Sequence, residues 1–268
     1  MFSPAPAGKQ EDMATILVTG SSDGIGRQTA STLAAQGHRV VLHARNEERA
    51  AQALSAVPHA AAVVRGDLTS LAETRALAEE AAAVGPYDVV IHNAGIGGGQ
   101  REPVRTRDGL ERIFQVNVLA PYVLTALVPW PARLVYLTSG LESGGVPRLD
   151  DLQWERRDWD GMQAYSDSKL YDVMLAFAVA RRRPEILSNA VDPGWIRTRM
   201  GGPGATDDLP AGAETQIWLA TSDEPAATGT GRYLKRRREL RANPAAYRED
   251  LQEGLLAACA ELSGVKLD

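Results

Sequence analysis

A chain of 268 residues, 44% hydrophobic and 24% charged, falls in the globular class and is long enough to bury a sizeable core within one α/β domain. Its 34 acidic against 29 basic residues leave a net charge of −5, opposite in sign to the footprint of a nucleic-acid binder, so no nucleic-acid partner is expected. A lone Cys259 and four scattered histidines exclude an intrachain disulfide and a thiolate-rich metal site, and no apolar run is long enough to span a bilayer, so no metal and no membrane partner are expected, and a reducing cytoplasm is the expected compartment.

The polar, turn-rich stretch Met1–Asp12 lacks the apolar core of a signal peptide and is read as a flexible N-terminal extension; a single domain is expected over 13–268. From there short apolar runs alternate with longer helical patterns. The spacing predicts strand Thr15–Val18, helix Gly24–Gln36, strand Val40–His43, helix Asn46–Val57, strand Ala61–Val64, helix Leu71–Val84 and strand Val89–His92. Helix Asp108–Val128, strand Leu134–Leu137, helix Met162–Arg182, strand Ser188–Val191, helix Ala211–Ala220, strand Arg232–Leu234 and a last helix near Pro244–Leu262 follow. Strands apolar throughout must be covered on both faces. The expected fold is therefore α/β: a doubly wound, Rossmann-type parallel sheet of about seven strands in a three-layer α/β/α arrangement. The loops Gly97–Arg107, Gly140–Gly161 and Arg199–Ala211 are long for such connections and are expected to wall the site at the carboxyl ends of the strands. The basic run Lys235–Arg238 reads as a solvated edge.

Two constellations carry chemistry. The first strand runs into Thr19-Gly20-Ser21-Ser22-Asp23-Gly24-Ile25-Gly26 and then a helix, where glycines permit a tight turn and helical N–H groups favour a pyrophosphate. Tyr165 and Lys169 stand at i, i+4, on one helix face, so the ammonium favours the ionised phenol and suits it to acid/base work. Upstream, the strand Leu134–Leu137 delivers Thr138-Ser139, and thus a hydroxyl, to a strand's carboxyl end.

With these residues in their order, the chain resembles the short-chain dehydrogenase/reductase family over about Ala14–Leu234. The family's Thr-Gly-x-x-x-Gly-x-Gly turn matches Thr19–Gly26, its Asn-Ala-Gly matches Asn93-Ala94-Gly95, its Tyr-x-x-x-Lys matches Tyr165 and Lys169, and its Pro-Gly loop matches Pro193-Gly194 with Thr198 following. The glycine spacing is similar to that of the single-domain branch. Tyr165–Leu170 and Asp192-Pro193-Gly194-Trp195 look most like the retinol-dehydrogenase-like bacterial members.

The resemblance implies an oxidoreductase that interconverts an alcohol and a carbonyl by hydride transfer with a nicotinamide cofactor. It makes Tyr165 the general acid/base and Ser139 a hydrogen-bond donor to the substrate oxygen. Lys169 would favour the ionised phenol and hold the cofactor ribose. Asn117 would hold a water through its main-chain carbonyl, and Pro121, which has no N–H, deprives that carbonyl of its helical partner. The implied cofactor contacts are Gly20, Ser22, Asp23, Gly24, Ile25, Gly26, Arg45, Asp67, Leu68, Asn93, Ala94, Gly95, Pro193, Gly194, Ile196 and Thr198, beside Tyr165 and Lys169. Asp67 also reads as an ordinary helix-start carboxylate near Thr69 and Ser70. Trp154, Trp159, Met162, Trp195 and Met200, in or beside the long loops, are candidates to line an apolar substrate pocket.

At the end of the second strand no residue is acidic and Arg45 follows at once, which suits a 2′-phosphate; Asp23 argues the other way. NADP is the expected cofactor, with NAD the alternative. A hydrolase is excluded because Leu137-Thr138-Ser139-Gly140-Leu141 lacks the nucleophile elbow, and an inactive dinucleotide sensor stands as the alternative function. The helices Asp108–Val128 and Met162–Arg182 carry spare apolar surface, and a homodimer or homotetramer is expected.

Overall fold

The computed structural model describes residues 13–267, and the extension expected over 1–12 lies outside them. Strands β1 (Thr15–Val18), β2 (Arg39–Ala44), β3 (Ala62–Arg65), β4 (Val89–His92), β5 (Arg133–Leu137), β6 (Leu187–Val191) and β7 (Tyr233–Lys235) run parallel, and β8 (Arg238–Leu240) pairs antiparallel with β7. The helices are α1 (Gly24–Ala35), α2 (Glu47–Ala56), α3 (Leu71–Val84), α4 (Arg112–Phe114), α5 (Ala120–Leu127), α6 (Gly161–Arg182), α7 (Leu209–Thr221) and α8 (Glu249–Ser263). The sheet order is β3-β2-β1-β4-β5-β6-β7-β8, so the winding reverses between β1 and β4. The turns after these two strands diverge there and leave a crevice at their carboxyl ends.

The core divides along the pleat. In β1, Ile16 and Val18 pack against the layer that holds Leu33 of α1, Ala53 of α2 and Trp218 of α7, while Leu17 between them faces the layer with Leu77 of α3, Leu124 of α5 and Met174 of α6. In β4, Val89 and Ile91 alternate with Val90 in the same way. Each such side chain, removed from water, contributes on the order of 1.5–3 kcal/mol. Side-chain oxygens cap the helices that begin near the crevice: Asp23 accepts from the Gly24 N–H at 2.8 Å and Asn46 from the Arg49 N–H at 2.9 Å.

The structure corrects the sequence reading in four places. The sheet has eight strands rather than about seven, because the Lys235–Arg238 run, largely exposed as expected of a solvated edge, also turns a hairpin whose second strand becomes the edge of the sheet. Arg236 and Arg237 take the left-handed conformation at its turn and pair with Asp207 and Glu214. The helix expected over Asp108–Val128 starts only at Arg112, where buried Glu111 accepts the N–H groups of Ile113 and Phe114 at 2.9 and 2.8 Å. It then widens into a π turn over Gln115–Leu119 before α5, as expected where Pro121 withholds an N–H from the ladder. Lastly, the spare apolar surface of α6 is covered within the chain. Residues Ser166–Ala180 are all buried, and α8 supplies Leu255, Leu256 and Cys259 to the same core.

Candidate active site

The crevice is built from the turns after β1, β4, β5 and β6. After β1, Gly20 takes φ +62°, and a Cβ there would meet the Ala94 Cα at 2.8 Å; Gly26 sits flush against Asn93 and the Gly20 carbonyl. The backbone of the glycine-rich turn and that of Asn93-Ala94-Gly95 are thus in contact. Thr19 fastens them: its hydroxyl accepts from the N–H groups of Asn93 and Ala94 at 2.9 and 3.0 Å. Asn93 returns its amide to the Thr19 carbonyl at 2.8 Å, so its side chain serves this latch.

A further clamp was not read from the sequence. His43, at the end of β2 and 3% exposed, accepts from the Gly20 N–H through Nδ1 at 3.0 Å and meets the Gly66 carbonyl through Nε2 at 2.9 Å. That pair of contacts requires Nδ1 bare and Nε2 protonated, and burial lowers the pKa of the ring in keeping with this neutral form. His43 therefore ties the turn after β1 to the turn after β3. In that last turn Asp67 accepts from the N–H and hydroxyl of Thr69 at 2.9 and 2.8 Å, while Ser70 caps α3. The Leu68 side chain lies in the core, which leaves its backbone for any cofactor contact.

On the other side of the crevice α6 brings the Tyr165 ring within 5.8 Å of the Lys169 ammonium. Lys169 is 5% exposed; its Nζ donates to the Leu137 carbonyl at 3.0 Å and to Asp172 Oδ2 at 2.8 Å. The Thr138 hydroxyl donates to the Lys169 carbonyl at 2.6 Å, so α6 is bonded to the end of β5, next to Ser139. Asn117, at the centre of the π turn, accepts from the Ile96 N–H at 2.8 Å and donates to the Ile96 carbonyl and Ser168 Oγ, each at 3.0 Å. A Cβ on Gly95 would stand 3.4 Å from Asn117 Oδ1 and 3.5 Å from Lys169 Nζ, so β4, the π turn and α6 converge there. Ser139 caps a 3₁₀ turn through its Oγ, which accepts from the Leu141 N–H at 3.3 Å.

After β6, Asp192 holds the turn: Oδ1 accepts from the Gly194 N–H at 2.8 Å and Oδ2 from Lys235 Nζ at 2.8 Å. The following loop folds back so that Thr198 lies over the glycine-rich turn, 3.5 Å from a Cβ on Gly24. The Thr198 hydroxyl accepts from the Gly201 N–H at 3.1 Å, and Trp195 Nε1 donates to the Gly201 carbonyl at 2.9 Å. Arg45 is exposed at the end of β2. Asp23 stands between Arg49 and Arg199, at 3.8 and 3.9 Å. Of the five apolar candidates for substrate contact, Trp154 and Trp159 are packed instead, ring against ring at 5.2 Å, with the Arg157 guanidinium 3.5 Å from the Trp154 ring centre. Met162, Trp195 and Met200 are more than half exposed, and Leu141, two residues after Ser139, is exposed as well.

A family model described as short chain dehydrogenase matches residues 14–131. An oxidoreductase of Emericella nidulans is 46% identical over 94% of this chain and 98% of its own length. Human retinol dehydrogenase 14 is 32% identical, covering 90% of this chain and 83% of its own. Among solved structures, a Mycobacterium paratuberculosis protein superposes with a TM-score of 0.82 at 26% identity over 95% of each chain. A blue fluorescent protein from a metagenomic library, in complex with NADPH, gives a TM-score of 0.66 at 25% identity, covering 84% of this chain and 97% of that one. Among the described residues, no helix is long and apolar enough to cross a membrane.

Proposed function

This chain belongs to the short-chain dehydrogenase family and is an NAD(P)-dependent oxidoreductase, and from that premise we propose that it interconverts an alcohol and a carbonyl on an apolar small molecule, with Tyr165 as general acid/base. The observation that carries the reading is the Tyr165–Lys169 pair on α6, bonded through Lys169 and Thr138 to the end of β5 where Ser139 stands. A nicotinamide cofactor fits the residues present: the tight backbone contact at Gly20 and the N-terminus of α1 form a cradle that a side chain would fill. When bound, the nicotinamide gives or takes the hydride.

The chain's own residues handle the proton and the oxygen. In carbonyl reduction the Tyr165 hydroxyl gives its proton to the oxygen that gains charge, and the Ser139 hydroxyl donates a hydrogen bond to that oxygen. In alcohol oxidation Tyr165 takes the proton back. The Lys169 ammonium stabilises the phenolate left behind and offers an N–H to the ribose of the cofactor. Asn117 keeps Ile96 and Ser168 in register beside Lys169, and its carbonyl, four residues before Pro121, would hold the water that resupplies the proton. Gly20, Ser22, Asp23, Gly24, Ile25, Gly26, Arg45, Asp67, Asn93, Ala94, Gly95, Pro193, Gly194, Ile196 and Thr198 would surround the cofactor, several through backbone groups alone.

NADP(H) is the preferred cofactor in this reading. Arg45 is free in solvent where a 2′-phosphate would arrive, and the charge of Asp23 is balanced by Arg49 and Arg199. The NADPH bound to the metagenomic relative supports the same choice. Leu141, Met162, Trp195 and Met200 present exposed apolar side chains, and the likeness to a retinol dehydrogenase supports an apolar substrate. The test mixes wild type and Tyr165→Phe with reduced cofactor and a panel of aldehydes and ketones while nicotinamide absorbance is followed. Tyr165→Phe is expected to lose about 10²–10⁴ in rate with cofactor affinity kept; retention of more than about a tenth of wild-type turnover overturns the assignment.

A further inference from the structure

An ammonium has three N–H donors and no acceptor. On Lys169 one donates to the Leu137 carbonyl and one to Asp172 Oδ2 at 2.8 Å, which leaves a single donor for the crevice. Asp172 follows Lys169 by three residues on α6, and both side chains are buried, at 4% and 6% exposure. Its carboxylate faces no other cation in an ion pair among the described residues. The ionisable groups that act on it or on which it acts are Lys169 on its own helix and Tyr136 on β5, while Tyr165 faces Lys169. The Tyr136 hydroxyl is bonded to Thr125 of α5 at 2.8 Å, and Thr125 meets His92 of β4 at 3.0 Å, so this side of the pocket is neutral.

Resting on the reading of Tyr165 as the acid/base, we propose that Asp172 is a positioning residue that holds the Lys169 ammonium and shares its positive charge with the Tyr165 phenol. A carboxylate at 2.8 Å neutralises much of the field that Lys169 would otherwise direct at Tyr165. It also fixes the ammonium in the one orientation that keeps both protein acceptors satisfied. Burial disfavours both charges, yet the partners sustain each other. Asp172 and Tyr165 outweigh desolvation and keep Lys169 above its ordinary range, while burial, opposed by Lys169, pushes Asp172 up to about 6. At neutral pH the pair is ionised, and it begins to take up a proton just below.

The sign of the consequence follows from charge. Removing the carboxylate uncovers the ammonium, which favours phenolate, so the pH at which Tyr165 titrates falls. The experiment is a difference titration of phenolate absorbance, each protein against its own Tyr165→Phe version, in the cofactor-bound enzyme with NADPH's oxidised form as the probe. Asp172→Asn, which keeps an acceptor for Lys169 but not the charge, is expected to move the midpoint down by about one pH unit. Asp172→Glu, which keeps the charge, is expected to restore it. Asp172→Ser is the second neutral variant, with the same expectation as Asn. An unmoved or raised midpoint in either folded neutral variant overturns the proposal, and so does failure of both to fold, because the pair would then be structural. If Tyr165→Phe itself keeps its turnover, the reading of Tyr165 fails, whatever Asp172 does.

Discussion

Replacing His43 removes two bonds that join separate turns, and the loss can be graded. In His43→Leu the apolar volume is roughly kept, but the Gly20 N–H and the Gly66 carbonyl both lose their partner. An orphaned buried backbone group costs about 1–3 kcal/mol, so the variant is expected to lose about 2–5 kcal/mol, or roughly 5–15 °C in melting temperature for a chain of this size. His43→Asn places an amide oxygen near the Nδ1 position and keeps the Gly20 bond, so about half the loss is expected. The second readout is fluorescence titration with reduced nicotinamide cofactor. Because this bond helps aim the left-handed turn of Gly20 against Ala94, affinity is expected to fall about 10-fold in Leu and less in Asn. Urea melts and titrations of the three proteins check this. Equal losses for Asn and Leu, or a Leu variant within about 0.5 kcal/mol of wild type, would show that the bonds do not hold the turn.

Arg45→Ala is expected to weaken NADP(H) by about 1.5–3 kcal/mol and to leave NAD(H) nearly unchanged; equal effects on both cofactors in binding titrations would refute the 2′-phosphate role. Lys169→Ala is expected to reduce turnover and cofactor affinity together, and an unchanged cofactor dissociation constant would count against its ribose contact. Acid should unfold the protein through its histidines: burial lowers His92 from 6.5 to about 3, so its contribution is complete above pH 6.5 and is lost as pH falls, by up to about 5 kcal/mol near pH 3. Asp172, raised from 3.8 to about 6, acts with the opposite sign and offsets part of that loss between pH 6 and 4. Urea midpoints at pH 7, 5 and 4 test the sum, and a His92→Gln protein with the same acid limb as wild type would sink the assignment.

β1 and β4 were legible to the residue because each carries three consecutive apolar residues, Ile16–Val18 and Val89–Ile91, next to a turn motif, and the crevice between them follows from those motifs. β8 was not. Its turn is formed by Arg236 and Arg237 at positive φ, where a sequence reading looks for glycine or asparagine, and the conformation is held by partners far along the chain. The break before Arg112 was hidden because a helical periodicity continues through Asp108–Leu110 while Glu111 caps from within it. Pro121 signalled disturbed helical bonding near Asn117, and the π turn is its physical form. The roles of His43, Thr138 and Asp172 depend on which turns the sheet brings together, and no local pattern marks them. Trp154 misled because a large side chain near a long loop suggests a pocket, whereas tertiary packing gave it Trp159 and Arg157 as neighbours.

The cover that α8 places over α6 sets the timetable of synthesis. Val173, Met174, Leu175 and Phe177 emerge from the ribosome early, but Leu255, Leu256 and Cys259, which share their core, are made about 70 residues after the end of α6, a delay of roughly 4–15 s. The terminal stretch is then fastened from three directions, by Tyr122 to the Val265 carbonyl at 2.9 Å, by Arg75 to the Ser263 carbonyl and by Arg182 to the Leu267 carbonyl at 3.0 Å. During that interval the nascent chain carries an open apolar seam along its longest helix, beside Tyr165 and Lys169. A stop codon within α8 would therefore yield a chain whose seam never closes, a substrate for chaperones and proteases, although every residue of the crevice would already have been made.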